Sequence, residues 1–221
     1  MTYQLTVNKA QIKIISKALD IFKSVIKGEI SRSAALIAEN KITCLKYSSE
    51  LEECFEQRIR KLRTSLIDLE NIYFDKYLNI LQLGEIGSSL SYIKKKFIDI
   101  GYYINQKKID RVSFNITDDD IKIISLATNL YYNILLGNIE FMYQIIKISY
   151  NINESLYDDL YEVREYATGL AENNLYLYID NDRIHRKAKW CYDIHQQLNL
   201  HKIHKNIGTL QPIKIRKYDK V

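Results

Sequence analysis

Residues that interrupt regular structure are scarce in this sequence. It contains one proline and seven glycines in 221 residues, whereas 47% of its residues are hydrophobic and 27% are charged. Disordered chains are poor in hydrophobic residues, so this composition excludes a disordered or low-complexity protein. It favours a helix-rich globular protein that is long enough to bury a core without disulfides or metals.

Cysteine is also scarce, and no segment has the pattern of a targeting signal. The three cysteines, Cys44, Cys54 and Cys191, form no CxxC pair, and we interpret them as small core residues in a reducing compartment. The N-terminus lacks the basic start and apolar region of a signal peptide, and no run approaches roughly 18 apolar residues. We therefore expect a cytoplasmic protein without a membrane partner.

The common motifs of catalytic and phosphate-binding sites are missing. The sequence has no GxGxxG, GxxxxGK[ST], HExxH or GxSxG, which lowers the expectation of an enzyme. His195, His201 and His204 lie close together, but no acidic or cysteine residue has the spacing that a zinc site needs. We predict no catalytic residue, no metal and no cofactor, and the sequence favours a binding protein over an enzyme.

One segment of the sequence occurs twice. The pentapeptide IKIIS stands at 12–16 and again at 121–125. The similarity extends on both sides of the pentapeptide, and the segment LTVNKAQIKIISKALDIFKSVIKGEI aligns without gaps with the segment FNITDDDIKIISLATNLYYNILLGNI. A spacing of 109 residues is far longer than solenoid repeats of about 20 to 50 residues. We predict two related half-domains, residues 1–110 and 111–221, that pack together. The alternative is a chance likeness of two amphipathic helices.

Each copy has the signals of a strand, a turn and a capped helix. The alternating segments TYQLTV and RVSFNI predict short strands. Asn8 and Thr117 follow as helix N-caps, and Gln11 and Asp120 stand three residues later, the spacing of a capping box. The helix of each copy should end at a glycine that adopts a left-handed conformation, namely Gly28 and Gly137.

The rest of the chain predicts more helices and one further strand. A run of about forty residues from Cys44 carries an apolar seam at helical spacing, formed by Leu51, Phe55, Ile59, Leu62, Leu66, Leu69, Tyr73, Tyr77 and Ile80. It predicts a long core helix or, alternatively, a coiled-coil or dimer contact. GEIGSS at 84–89 predicts an interruption, and TLQPIKIRKY predicts an edge strand because of its proline. The expected fold is mainly α (α+β), with packed helices and a small sheet.

Positive charge is concentrated at the C-terminal end. Residues 183–221 hold ten Lys or Arg and two acidic residues, a net charge of +8, whereas the remaining chain holds 22 basic and 25 acidic residues, a net charge of −3. On the helix predicted for residues 181–199, Arg183, Arg186 and Lys187 share a side with Trp190. An indole beside guanidinium groups can stack a base while the cations hold phosphate.

We therefore predict an anion-binding site on this C-terminal region. Its candidate residues are Arg183, Arg186, Lys187, Trp190, Lys214 and Arg216. The alternative is a solvated basic face with the tryptophan packed between the two halves. Extended nucleic-acid binding would use the same residues and would depend strongly on salt, but acidic residues between 155 and 180 favour a small local pocket.

Two segments resemble those of a family of small, largely uncharacterised phage accessory proteins. LTVNKAQIKIISKALDIFKSVIKGEI is similar to their opening strand, capped helix and glycine, and RKAKWCYDIHQQL followed by LQPIKI is similar to their late helix and proline-containing strand. The resemblance implies a phage-encoded protein acting in the host cell, and it supplies no catalytic residue.

The expected function is non-enzymatic binding of a phosphate-bearing nucleotide signal to counter host defence. The alternatives are a protein-interaction module that inhibits a host protein through the apolar seam, a nucleic-acid-binding protein, or a hydrolase acting on nucleotides. We also consider a homo-oligomer possible, because a seam of this kind can pair with a second copy.

Overall fold

The computed structural model describes residues 2–39, 50–74, 84–149, 152–168, 186–203 and 213–214. Within these ranges the elements follow in the order β1 (Thr2–Asn8), α1 (Lys9–Ile26), α2 (Arg32–Glu39), α3 (Glu50–Tyr73), α4 (Gly84–Lys107), β2 (Arg111–Thr117), α5 (Asp118–Leu136), α6 (Phe141–Ser149), α7 (Ser155–Glu162), α8 (Arg164–Thr168), α9 (Arg186–Ile203) and β3 (Ile213–Lys214). The protein is thus mainly helical with a small sheet, which confirms the predicted fold class.

The three strands form one sheet in the order β2-β1-β3. The two strands that begin the repeated segments pair with each other: β1 is antiparallel to β2, from Thr2 opposite Thr117 to Asn8 opposite Arg111. β3 is parallel to β1, with Ile213 opposite Leu5. Side chains alternate along β1, so that Tyr3, Leu5 and Val7 are buried beneath the helices while the residues between them face outwards.

Both predicted capping boxes are present. The Asn8 side chain accepts a hydrogen bond from the Gln11 amide at 2.9 Å, and the Gln11 side chain accepts one from the Asn8 amide at 2.8 Å. In the second copy the Asp120 amide donates to Thr117 Oγ1 at 3.2 Å, and the Thr117 amide donates to Asp120 Oδ2 at 2.9 Å. These reciprocal bonds satisfy amide donors that the first helical turn leaves without a partner.

α5 ends at the predicted glycine, Gly137, whereas α1 ends at Ile26 with Lys27 as its C-cap and is followed by the predicted Gly28. Gly28 has a φ of 76° and Gly137 a φ of 83°, which lie in the left-handed region. In each copy a second helix follows a few residues later: α2 begins at Arg32 and α6 at Phe141. The two residues that begin these helices are again 109 positions apart.

The two copies contribute to one continuous hydrophobic core. α1 and α5 pack against each other, α4 packs on α1, and α9 packs on α5. Leu5, Ile15, Leu19, Ile124 and Leu130 are fully buried in this core. The chain runs from α4 into β2 through residues 108–110, which is where the sequence places the border between two half-domains; that division stays a prediction.

One detail differs from the sequence predictions, and another agrees with the predicted long core helix. GEIGSS was expected to interrupt the helices, but α4 begins at Gly84 and includes all six of its residues, because two glycines do not prevent a helix whose later residues pack in the core. The seam on α3 is buried inside the chain: Leu62 and Leu66 are fully buried, and α3 packs on α2, α7 and α8. In its described part the seam is therefore core, while Tyr77 and Ile80 lie outside the described residues.

Candidate anion-binding sites

The C-terminal helix α9 is held on α5 by its apolar side. Ala188, Cys191, Ile194 and Leu198 are fully buried, as their spacing of three and four residues predicts. Ile184, which the sequence places on the same face, lies outside the described residues. Because this face is taken up by packing, any ligand must approach the opposite side of α9.

Two of the predicted site residues meet on that opposite side. The Arg186 guanidinium carbon lies 5.0 Å from the centre of the Trp190 ring. This is a cation–π contact between two residues that are one helical turn apart. Arg186 and Lys187 are exposed, whereas Trp190 is half-buried and packs against the core. We call Arg186, Lys187 and Trp190 the α9 basic face. Arg186 already covers the tryptophan ring, so a stacked base would have to displace it.

The structure does not describe the side chains of the other three predicted residues. The backbone of Lys214 lies in β3, opposite Thr6 of β1. Arg183 and Arg216 lie outside the described residues. The α9 basic face consists of the three predicted residues whose side chains the structure describes.

Cys191 has no nucleophilic character in this structure. It is fully buried on the inner side of α9, and burial raises the pKa of its thiol far above its ordinary value, an effect that the nearby Lys187 opposes only in part. The prediction of a small core residue is confirmed for this cysteine.

A partly buried hydrogen-bond network joins α5 to α9. His195 Nδ1 lies 3.0 Å from both the Oγ and the carbonyl oxygen of Ser125, and its Nε2 lies 2.9 Å from Asn199 Nδ2. The Ser125 hydroxyl donates to Asn199 Oδ1 at 3.0 Å. Since a carbonyl only accepts, the network fits a neutral imidazole that is protonated at Nδ1. Ser125 is buried within a helix, so the trio holds two helices together and offers no accessible nucleophile.

The structure forms an open cavity that the sequence did not predict. It has a volume of about 510 Å³ and lies between α1, α2 and α4. Its lining consists of Lys17, Asp20, Ile21, Lys23, Ser24, Val25, Lys27, Glu29, Arg32, Ser33, Ala35, Leu36 and Lys94. We call it the cation-lined cavity, because five of these residues are Lys or Arg and two are acidic.

Ion pairs fix part of the cavity wall. Lys94 of α4 forms a salt bridge with Asp20 of α1, and Arg32 of α2 forms one with Glu29 at 3.1 Å. Arg32 also donates to the Ser24 hydroxyl at 3.1 Å. Both carboxylates of the described lining are thus engaged in ion pairs, and the lining holds five cationic and two acidic side chains.

The sequence contained only a weak signal for this cavity. Lys23 and Lys27 stand one helical turn apart, and Arg32 begins the next helix, but a cluster of this kind is typical of a solvated helix face. The third wall of the cavity includes Lys94 of α4, which follows Arg32 by more than sixty residues in the sequence. Its approach to the other cations depends on tertiary packing.

The described residues contain no group of three His, Cys, Asp or Glu side chains arranged to hold a metal ion. No helix in the described ranges has the length and apolar character needed to span a membrane. Comparisons with protein-family models, curated proteins and solved structures give no match to this chain.

Proposed function

We propose that this chain is a phage-encoded, non-enzymatic binding protein that counters host defence by sequestering a phosphate-bearing nucleotide signal. The observation that carries the proposal is the cation-lined cavity, with three more positive than negative charges around about 510 Å³. Ligand pockets typically measure about 300 to 1,000 Å³, so the space suits a nucleotide. Charge and size together favour an anionic small molecule.

Electrostatics support a phosphate in this cavity. Lys17, Lys23 and Lys27 are half-buried, so their attraction for an anion is screened less by salt than that of fully exposed lysines. Arg32, at the mouth of the cavity, adds a planar guanidinium that suits phosphate oxygens. The resemblance to phage accessory proteins supports the biological part of the proposal.

Calorimetric titration with a panel of cyclic and ADP-ribose-type nucleotides tests the binding. The variant Lys23→Gln/Arg32→Gln removes two cavity cations, and Lys13→Gln/Lys122→Gln removes two exposed cations elsewhere on α1 and α5. We expect the first variant to weaken binding at least tenfold and the second to leave it within about twofold, as one lost charge-assisted bond costs about 1.5–3 kcal/mol. Equal losses in both variants, or no binding by the wild type, would contradict the proposal.

The α9 basic face is the second candidate site for the same ligand class. It is favoured by the Arg186 contact with Trp190 at 5.0 Å, and it predicts that Arg186→Ala/Trp190→Ala abolishes nucleotide binding. Titration of this variant beside the cavity variant decides between the two sites, because only one of them should lose affinity.

The defence function is tested in cells. We expect the wild-type chain to restore phage growth in bacteria that carry a nucleotide-signalling defence, and Lys23→Gln/Arg32→Gln to restore it poorly at equal protein level. A pull-down from lysate treated with nuclease and depleted of nucleotides examines the alternatives. A host protein that stays attached under these conditions would favour the interaction module, and gel shifts that fade with salt would favour nucleic-acid binding.

A further inference from the structure

The charges of the cation-lined cavity are not required by the fold. Their positions on α1 and α2 can be compared with those 109 residues later on α5 and α6, where the same capping box, left-handed glycine and following helix occur. Six of the seven charged lining residues, all except Lys94 of α4, lie in the first copy, and each has an uncharged counterpart in the second: Lys17 and Leu126, Asp20 and Asn129, Lys23 and Tyr132, Lys27 and Leu136, Glu29 and Asn138, Arg32 and Phe141.

In the second copy this surface is covered by protein. α9 packs on α5, and the Tyr132 ring lies 5.2 Å from the ring of Tyr192 on α9. Leu126 and Phe141 pack against the core, and Leu136 is buried. The same local scaffold therefore carries uncharged residues where a helix covers it and charged residues where it borders an open cavity.

The chemistry of the cavity wall narrows the ligand. Its apolar part is aliphatic, formed by Ile21, Val25, Ala35 and Leu36, and none of the described lining residues is aromatic. A nucleobase gains about 1–3 kcal/mol from stacking on an aromatic ring, and this cavity offers no such platform. The base of a nucleotide should therefore contribute little to binding here.

The two carboxylates point to hydroxyl groups on the ligand. Asp20 and Glu29 each form an ion pair through one carboxylate oxygen and can accept further hydrogen bonds, while their charges reduce the attraction of the cavity for a ligand made only of phosphate. A sugar hydroxyl can donate to a carboxylate while a phosphate on the same molecule meets the lysines. We infer that the cation-lined cavity selects a phosphorylated sugar, with Lys17, Lys23 and Lys27 facing the phosphate and Asp20 and Glu29 facing the hydroxyls. This inference rests on the proposed function and specifies its ligand class.

Titration with matched probes tests the inference. The probes are ribose 5-phosphate, ribose, inorganic phosphate, adenosine, adenosine monophosphate and uridine monophosphate. We expect the two nucleotides to bind within about threefold of each other, ribose 5-phosphate to bind within about tenfold of them, and ribose and adenosine to show no measurable binding. Inorganic phosphate should bind more weakly than ribose 5-phosphate.

The variant Asp20→Asn should change the affinities for ribose 5-phosphate and inorganic phosphate in opposite directions. Loss of the carboxylate should weaken ribose 5-phosphate binding several-fold while strengthening inorganic phosphate binding, because a charged hydroxyl acceptor is replaced by a weaker neutral one and a repulsive charge is removed. Glu29→Gln should act in the same way, and Glu56→Gln, an exposed carboxylate on α3, should do neither. Thermal unfolding of each variant checks that the fold is retained, since Asp20 pairs with Lys94 and a change in that pairing would affect both probes in the same direction.

The outcomes separate the inference from the proposed function. Nucleotides that bind in the cavity while ribose 5-phosphate does not, or nucleotide affinities that differ more than tenfold with the base, would overturn the inference and leave the proposed function standing. Tighter binding of both phosphate probes to Asp20→Asn would also overturn it. Absence of binding by every probe and by the wider nucleotide panel would overturn both.

Discussion

Leu5 of β1 lies directly opposite Phe114 of β2, and these two residues also occupy the same place in the two copies of the repeated segment. The residue numbers of every pair in this ladder add up to 119. Tyr3, for example, lies opposite Ile116, which is the counterpart of Val7 in the second copy, and Val7 lies opposite Val112, the counterpart of Tyr3. This register is what a local two-fold axis through the Leu5–Phe114 pair produces.

Leu5, which lies on this axis, should be sensitive to truncation because its side chain is buried. Its side chain is fully buried where β1 meets the core, so Leu5→Ala should lower the free energy of unfolding by about 2–5 kcal/mol. Chemical denaturation measures the loss. Gln4→Ala changes the adjacent, exposed residue of the same strand and should cost less than about 0.5 kcal/mol. Similar losses in both variants would mean that strand propensity, and not burial at the axis, explains the effect.

The two capping boxes predict additive losses of unfolding free energy when their N-cap residues are replaced. Asn8→Ala and Thr117→Ala each remove the side-chain acceptor of one helix, and each should lower the free energy of unfolding by about 1 kcal/mol. The two caps stand at opposite ends of the β1–β2 ladder, so the double variant should lose about the sum, as distant sites usually do. Asn115→Ala, on the exposed face of β2, is the control. A double variant no worse than either single one would contradict independent caps.

Local sequence signals made the two strand–helix units of the repeat predictable from sequence. A capping box is four residues long, and a left-handed glycine is recognised from one position after a helical pattern, so the bounds of α1 and α5 followed from their letters alone. The cavity did not, because its charge balance depends on Lys94 reaching Asp20 across two helices. The start of α4 at Gly84 was missed for a related reason, since tertiary packing can outweigh the weak helix propensity of glycine.

The predicted binding site illustrates the same limit. Helical spacing placed Arg186 and Trp190 on one side correctly, and the structure brings them within 5.0 Å. Periodicity could not show that the guanidinium rests on the indole ring, because that contact depends on the rotamers of both side chains. Net charge located a basic segment but did not distinguish a ligand site from a cation–π pair.

Two glycines predict opposite effects of the same substitution. Gly28 has a φ of 76°, and a Cβ there would lie 2.6 Å from Cγ of Phe74, so Gly28→Ala should cost at least about 2 kcal/mol of unfolding free energy from backbone strain and displaced packing. Gly101 lies within α4, where a Cβ would meet Ile12 Cγ2 at an ordinary 3.5 Å. Gly101→Ala should therefore stabilise the protein by about 0.5–1 kcal/mol. Denaturant titration of both variants is the measurement, and a stabilised Gly28→Ala would refute the argument.

A tyrosine hydroxyl links α3 to α7. Tyr73 Oη lies 2.5 Å from Asp159 Oδ2 and 2.8 Å from Ser155 Oγ. The hydroxyl has one proton, so it donates to the carboxylate and accepts from Ser155, and the bond to Asp159 is the main reason that the pKa of Tyr73 is raised. Tyr73→Phe should cost about 1–2 kcal/mol of unfolding free energy. Tyr92→Phe, at a ring that is 63% exposed on α4, should cost almost nothing, and equal costs would argue against the link.

Glu140 predicts a pH dependence whose sign can be checked. Its carboxylate pairs with Arg164 Nη1 at 3.0 Å and is only 14% exposed. Burial raises the pKa of Glu140 above its ordinary value, although its own backbone amide and the Arg164 charge oppose the rise. The folded protein therefore holds this proton more tightly than the unfolded chain does. The resulting stability is fully present below the unfolded-state pKa and is lost as pH rises through the folded-state pKa.

Comparison of the wild type with Glu140→Gln isolates this contribution. We expect the unfolding free energy of the wild type minus that of the variant to fall as pH rises above about 4, the ordinary range of a glutamate pKa. The difference should level off once Glu140 is ionised in the folded protein, because glutamine does not titrate. Glu162→Gln, at an exposed carboxylate of α7, controls for general charge effects and should give a flatter difference. A difference that grows with pH would mean that the attraction of Arg164 outweighs desolvation, and that this buried ion pair stabilises the turn between α5 and α6.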